Sequence, residues 1–246
     1  MDNIALLLSA AALAVSAAAG ILAGYGAIRI FNRMPAKWLC DYDELPDERH
    51  LPPRINKYPW ALLFSLVFAT AAFKAILISW AYGAAALSAL WLLLLIGLSD
   101  NKYRIIPDQF VIMLAATGIG FAAIEQGNAA RYAFLSPLFG MLVGGGVFFL
   151  IVLLGKLFAK REIMGFGDVK LTAVCGLIAG LSGIVAILIM TAISSAAIFS
   201  LRLARGDIKT TDEAALGPFI AGATAVYIMF SEEIARIARF YIEMTP

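Results

Sequence analysis

Imidazole and thiol are nearly missing from this chain. Its 246 residues hold one histidine, His50, and two cysteines, Cys40 and Cys175. A serine or cysteine nucleophile needs a base within hydrogen-bond reach, and His50 lies in a polar stretch with no obvious nucleophile. Two thiols build neither a thiolate zinc site nor a disulfide framework. Cys40 and His50 together offer too few firm ligands for another metal site, so no metal is expected. Charge is scarce too, at 15% of residues with a formal net charge of +2. No basic face interleaved with aromatics stands clear of the apolar runs, which argues against a nucleic-acid partner. Hydrocarbon fills the chain instead: 62% of residues are hydrophobic and the mean hydropathy is +0.87. No soluble domain of this length needs so much apolar surface. The expected fold is all-α, a polytopic membrane helical bundle with the lipid bilayer as its surroundings.

The hydropathy pattern divides into about eight spans at about 20 residues per crossing. The first covers Ile4 to Ile30. It lacks the basic start of a cleavable signal and is expected to be a retained helix. A polar loop follows over 31–58. Trp60 to Leu98 is apolar except for Lys74, which predicts two helices with a tight turn near Tyr82-Gly83. Further spans are expected over Asp108–Ile124, Phe134–Phe158, Asp168–Leu181, then from beyond Ser182-Gly183 to Leu203, and over Leu216–Phe230. The sixth is short for a full crossing. The tail, 231–246, reads as an amphipathic interfacial helix.

The distribution of charge supports that count. With alternating loops, the segments 29–57, 102–104, 156–170 and 202–209 fall on one side and hold fifteen of the nineteen Lys and Arg residues. Such a bias marks the cytoplasmic face, and it places both termini outside. The acids Asp41, Asp43, Glu44, Asp47 and Glu48 lie among these cations and read first as a solvated mixed-charge loop. They are also able to attract a basic peptide.

Against this background two aspartates stand out. Asp100 ends one apolar run and Asp168 opens another, both on the cytoplasmic side. An ionisable residue beside hydrocarbon is costly and is a functional hypothesis by default. Asp100 opens the segment Asp100-Asn101-Lys102-Tyr103-Arg104-Ile105-Ile106-Pro107-Asp108. There Pro107 suits the first turn of the next helix, and Asp108 an N-terminal acid favoured by the helix dipole. The second segment is Gly165-Phe166-Gly167-Asp168-Val169-Lys170. Its glycines allow another chain to approach the carboxylate closely. Bland readings exist for each part: Asp100 as a cap-region acid paired with Lys102 or Arg104, Asp168 as a helix cap, Lys170 as an exposed charge. Gly140, Gly144, Gly145 and Gly146 read first as helix-packing residues.

Taken together, these two segments resemble the type IV prepilin peptidases, integral-membrane aspartyl proteases of the Gly-x-Gly-Asp kind. The resemblance is specific over Trp91 to Leu181. It implies that Asp100 and Asp168 are the catalytic pair, with Asp108, Lys170, Gly165, Gly167 and Pro107 as supporting residues. It implies an aspartyl peptidase core over 59–230, in a bacterial inner membrane, with its site facing the cytoplasm. The implied partners are type IV prepilin-like precursors, whose short basic leaders are cut after a glycine. Many full-length members also methylate the new N-terminus with S-adenosylmethionine. Those bifunctional members carry two Cys-x-x-Cys pairs in the first cytoplasmic loop. Here the loop is short and has Cys40 alone, so a tetrathiolate zinc site cannot form within it. That departure puts methylation in question. No cofactor is implied for proteolysis. A preflagellin-type protease, a transporter using the two aspartates as ion sites, and a non-catalytic assembly factor are the competing readings.

Overall fold

In the computed structural model, the described residues are 2–40, 45–56, 58–77, 79–126, 135–159, 164–207 and 215–244. They form helices joined by loops, without a strand among them. In chain order these are α1 (Asp2–Arg33), α2 (Trp60–Leu77), α3 (Trp80–Tyr103), α4 (Asp108–Gln126), α5 (Leu135–Leu154), α6 (Phe166–Ala204) and α7 (Gly217–Met244). Four of them contain stretches long and apolar enough to cross a membrane: Ala10–Arg33, Trp80–Tyr103, Leu135–Phe158 and Phe166–Ala204. The all-helical, membrane-type fold expected from the hydropathy is the one observed.

The core follows from which faces are apolar on both sides. Leu90, Leu93, Leu95 and Ile96 of α3 are fully buried, as are Leu171, Ile184 and Ile187 of α6. These helices occupy the centre, while α1 and α5 expose leucines and phenylalanines outward. An outward hydrocarbon face is stable only against lipid.

Two boundaries differ from expectation. The turn between α2 and α3 falls before Trp80, not at Tyr82-Gly83. Ser79 takes the N-cap, its Oγ accepting from Tyr82 N–H at 3.1 Å, and Gly83 is buried inside α3. A hydroxyl that satisfies an orphan helix donor outcompetes a glycine whose role is to pack.

The second difference lies in α6. Its 39 residues contain a non-helical Gly180 at φ 67°, ψ −175°. A Cβ added at Gly144 of α5 would lie 2.5 Å from the Thr172 carbonyl oxygen and 3.0 Å from the Ile184 side chain. In a straight helix those two positions would stand about 18 Å apart. The chain therefore folds back at Gly180, and its two arms both pack on α5. Only glycine enters this left-handed backbone at low cost, and Ser136 Oγ accepts the freed Leu181 N–H at 3.2 Å. The expected break at Ser182-Gly183 is displaced to Gly180 because Gly183 is needed elsewhere, buried against the Tyr227 ring. Gly140 and Gly176 pack backbone against backbone where α5 meets the first arm, and Gly144 and Gly145 also meet α6, as expected; Gly146 does not, since a Cβ there would meet nothing within 4 Å. A further break at Phe230 (φ −131°) divides α7.

The loop after α1 is folded around one side chain. Arg54 is 4% exposed. Its guanidinium donates to the carbonyls of His50, Phe31 and Met34 at 2.8, 2.6 and 2.7 Å. Cys40 is buried and its thiol donates to the Ala36 carbonyl. Of the loop acids, Asp47 pairs with Arg49 at 2.7 Å, and that cation holds its carboxyl below the usual range. Asp41, Asp43 and Glu44 lie outside the described residues.

Candidate active site

Four helix termini converge at one end of the bundle. The C-terminus of α3 carries Asp100. The N-termini of α4, α6 and α7 carry Asp108, Asp168 and Gly217.

Asp100 is 6% exposed. Its Oδ2 accepts from the backbone N–H of Gly217 at 2.9 Å. Its own carbonyl accepts from Arg104 N–H at 2.9 Å, where Arg104 ends α3 in the left-handed region (φ 60°, ψ 30°). A non-glycine residue with positive φ is uncommon; here it turns the chain sharply towards Pro107 and α4. Ser99 Oγ ties the same turn by donating to the Ile105 carbonyl at 2.9 Å. The pairing of Asp100 with Lys102 does not form: Lys102 Nζ donates to the Arg54 carbonyl instead.

Asp168 lies in the first turn of α6, where the helix dipole favours a carboxylate. Its Oδ1 is sealed from solvent and has no hydrogen-bond partner among the described residues. A buried, unpartnered carboxylate oxygen is costly. It is the kind of local debit found where chemistry, rather than stability, sets the residue. The two carboxyls, 68 positions apart in sequence, lie at the same end of the bundle, Asp100 at the C-terminus of α3 and Asp168 in the first turn of α6.

The supporting residues join the two motifs. Gly167 lies against Ile106, where a Cβ would come within 3.2 Å of the Ile106 Cβ. Lys170 Nζ bonds both oxygens of Asp108, at 2.8 and 3.0 Å, and stands 5.5 Å from the Phe166 ring centre. Lys170 is thus neither a merely exposed charge nor the partner of Asp168. It bridges α6 to α4. Pro107 starts the turn whose carbonyl accepts from Phe110 N–H at 3.0 Å. Gly165 takes the N-cap of α6, with its carbonyl accepting from Asp168 N–H at 3.2 Å.

The Lys170–Asp108 pair is about a third exposed on each side, so its strength is moderated by solvent, at about 0.5–1 kcal/mol. Asp108→Asn and Lys170→Met should each lower thermal stability, and the double variant should be no worse than the worse single change. Strict additivity in that thermal cycle would contradict a direct pair.

Residues 87–201 match the sequence profile of the type IV leader peptidase family. The match covers somewhat less than half of the chain. The matched segment contains Asp100, Pro107, Asp108, Gly165, Gly167, Asp168 and Lys170. Among curated relatives, a prepilin leader peptidase/N-methyltransferase of Pseudomonas putida is 25% identical over 178 residues, covering 70% of this chain and 60% of its own. The protein of the same name from Pseudomonas aeruginosa is 28% identical over 160 residues, covering 64% and 53%. That from Xanthomonas campestris is 28% identical over 180 residues, covering 72% and 60%. The chain thus spans between about half and three-fifths of these relatives' length. No solved structure matches significantly.

Motif reading did not pick out Gly217. It lies outside the matched segment and 117 positions from Asp100.

Proposed function

We propose that this chain is a membrane aspartyl endopeptidase that removes the short basic leader of type IV prepilin-like precursors at the cytoplasmic face. The observation that carries the reading is the convergence of Asp100 and Asp168, from two separate motifs, at one cluster of helix ends. The match of the segment that contains both to the type IV leader peptidase family supports it.

Two neighbouring carboxyls share one proton and titrate as a unit. The ionised member takes a proton from a water, whose oxygen attacks the scissile carbonyl carbon. The protonated member hydrogen-bonds the carbonyl oxygen as charge develops there. Collapse of the tetrahedral species breaks the C–N bond. The leaving amine takes a proton from the pair, which returns to its starting state. The partly exposed glycines Gly165 and Gly167 leave room for an extended peptide beside Asp168. A transporter would be expected to place such acids near the midplane, and these lie at helix ends.

Methylation is not part of the proposal. S-adenosylmethionine carries a sulfonium and an amino group that need acidic or aromatic partners. One groove of about 380 Å³, lined by Leu13, Leu66, Phe73, Met229 and their neighbours, is apolar. Another, of about 390 Å³, presents Arg29 and Arg33, which repel a cation. Neither fits the group, and no step is routed through it.

The test is cleavage in vitro. Purified full-length protein is mixed with a prepilin bearing a short basic leader, and the product is read by mass spectrometry. Loss of the leader alone, after a glycine, is the expected result. A substrate left intact by well-folded protein would sink the reading, and a product heavier by one methyl group would reinstate the second activity.

A further inference from the structure

A third chain segment lies against Asp100, outside both sequence motifs. We infer that Gly217 is a positioning residue for Asp100: its backbone N–H fixes one carboxylate oxygen, and its missing side chain makes the seat in which that carboxylate sits. The inference rests on the proteolytic reading of Asp100.

Three observations carry it. The Gly217 N–H donates to Asp100 Oδ2 at 2.9 Å. A Cβ at Gly217 would fall 2.7 Å from Oδ2, 2.9 Å from Cγ and 3.1 Å from Cβ of Asp100, so any other residue here must push the whole carboxyl group away. And α3 runs beside α7 one turn earlier, where a Cβ added at Gly97 would stand 3.5 Å from both Pro218 and Ala221. The two helices therefore run side by side beyond the hydrogen bond as well as at it.

The local sequence prepares this donor. The first N–H groups of a helix lack intrahelical partners. In α7, Pro218 has no N–H to offer, and Phe219 and Ile220 N–H donate to the Leu216 carbonyl at 3.0 and 3.2 Å. That leaves Gly217 N–H, at the positive end of the helix dipole, directed at Asp100. Gly217 itself is buried. With Oδ2 held, the carboxyl plane is fixed, and Oδ1 is the oxygen left to exchange a proton with water or with Asp168.

Steady-state cleavage by the full-length protein tests this. Gly217→Ala keeps the N–H and displaces the carboxylate. Its kcat should fall by about a hundredfold, the usual size for a misplacement near 1 Å. KM should stay close to the parent's, because substrate binding is untouched, whatever the added Cβ costs in stability. Gly222→Ala, on the same helix with open space around its added Cβ, should cleave at the parental rate. If Gly217→Ala does not accumulate, an ester in place of the Leu216–Gly217 peptide bond, introduced through glycolic acid, removes the donor without adding bulk. Its kcat should fall on the order of tenfold, as for one charge-assisted hydrogen bond. Parental kcat in Gly217→Ala or in the ester overturns the inference, while the proteolytic reading stands. A kcat loss matched by a rise in KM, or an equal loss in Gly222→Ala, would also overturn it, by making the start of α7 a structural element only. A parent protein that cleaves nothing removes the proteolytic reading, and this inference with it.

Discussion

Asp100→Asn and Asp168→Asn should each reduce leader cleavage by at least about a thousandfold, the scale of losing a positioned proton donor or acceptor. The double variant should be no worse than either single one, because both remove the same shared-proton unit. The two changes should part company in stability. Asn at position 100 keeps an oxygen to accept from Gly217 N–H, so its fold should be close to the parent's. At position 168 the native Oδ1 is sealed from solvent without a partner among the described residues, and replacing a carboxylate with a buried oxygen by a neutral amide lowers the desolvation cost. Asp168→Asn should therefore unfold at the parental temperature or above it in a thermal scan of detergent-solubilised protein. Loss of activity without loss of stability is the pattern expected where a residue is held against its own packing preference. Residual cleavage above about a tenth of the parental rate in either variant would remove that aspartate from the proposed mechanism. A marked fall in midpoint for Asp168→Asn would mean that its oxygen has a structural partner.

How much of this was legible in the chain depends on the kind of partner involved. The hydrophobic runs identified an all-helical membrane-type fold, since a span needs only length and apolarity. Asp100 and Asp168 stood out because a charge among apolar residues is visible without knowing what it touches. The bridge from Lys170 to Asp108 was harder to read, since Lys170 had a carboxylate two residues away in sequence and its true partner 62 away. Helix geometry decides this: residues two apart do not face each other on a helix. The break in α6 was expected at Ser182-Gly183 and falls at Gly180. All three are turn-forming residues, and which one bends depends on Tyr227 and Ser136, on other helices. Gly217 and Arg54 were illegible for a related reason. One donates from its backbone and the other donates to backbone carbonyls, and neither kind of contact leaves a residue-type signature.

Arg54→Met should destabilise the protein by about 3 kcal/mol and slow cleavage by tenfold or more. Three backbone carbonyls, of His50, Phe31 and Met34, share its guanidinium. Removing it leaves them buried without a donor, at about 1 kcal/mol or more each. Arg54→Lys should recover little, since one ammonium cannot reproduce a planar fork that reaches three acceptors. The effect on rate follows from what the loop holds. The Arg54 carbonyl accepts from Lys102, the Arg49 carbonyl accepts from Tyr103 Oη at 3.1 Å, and His50 stacks on the Tyr103 ring at 5.0 Å. Lys102 and Tyr103 are the last two residues of α3, two and three positions after Asp100. The loop thus clamps the helix end that carries one carboxylate, while Trp38 packs edge-on against Phe110 of α4 at 5.9 Å. Members with two Cys-x-x-Cys pairs have thiolates available to organise this region. Here the organiser is a guanidinium, and the cohesion of the loop should track Arg54. Limited proteolysis read alongside the thermal scan tests the argument. Arg54→Met should be cut within 45–56 faster than the parent, and its cleavage rate should fall with KM little changed. Parental resistance to proteolysis together with a parental midpoint would show that the loop holds its shape without Arg54.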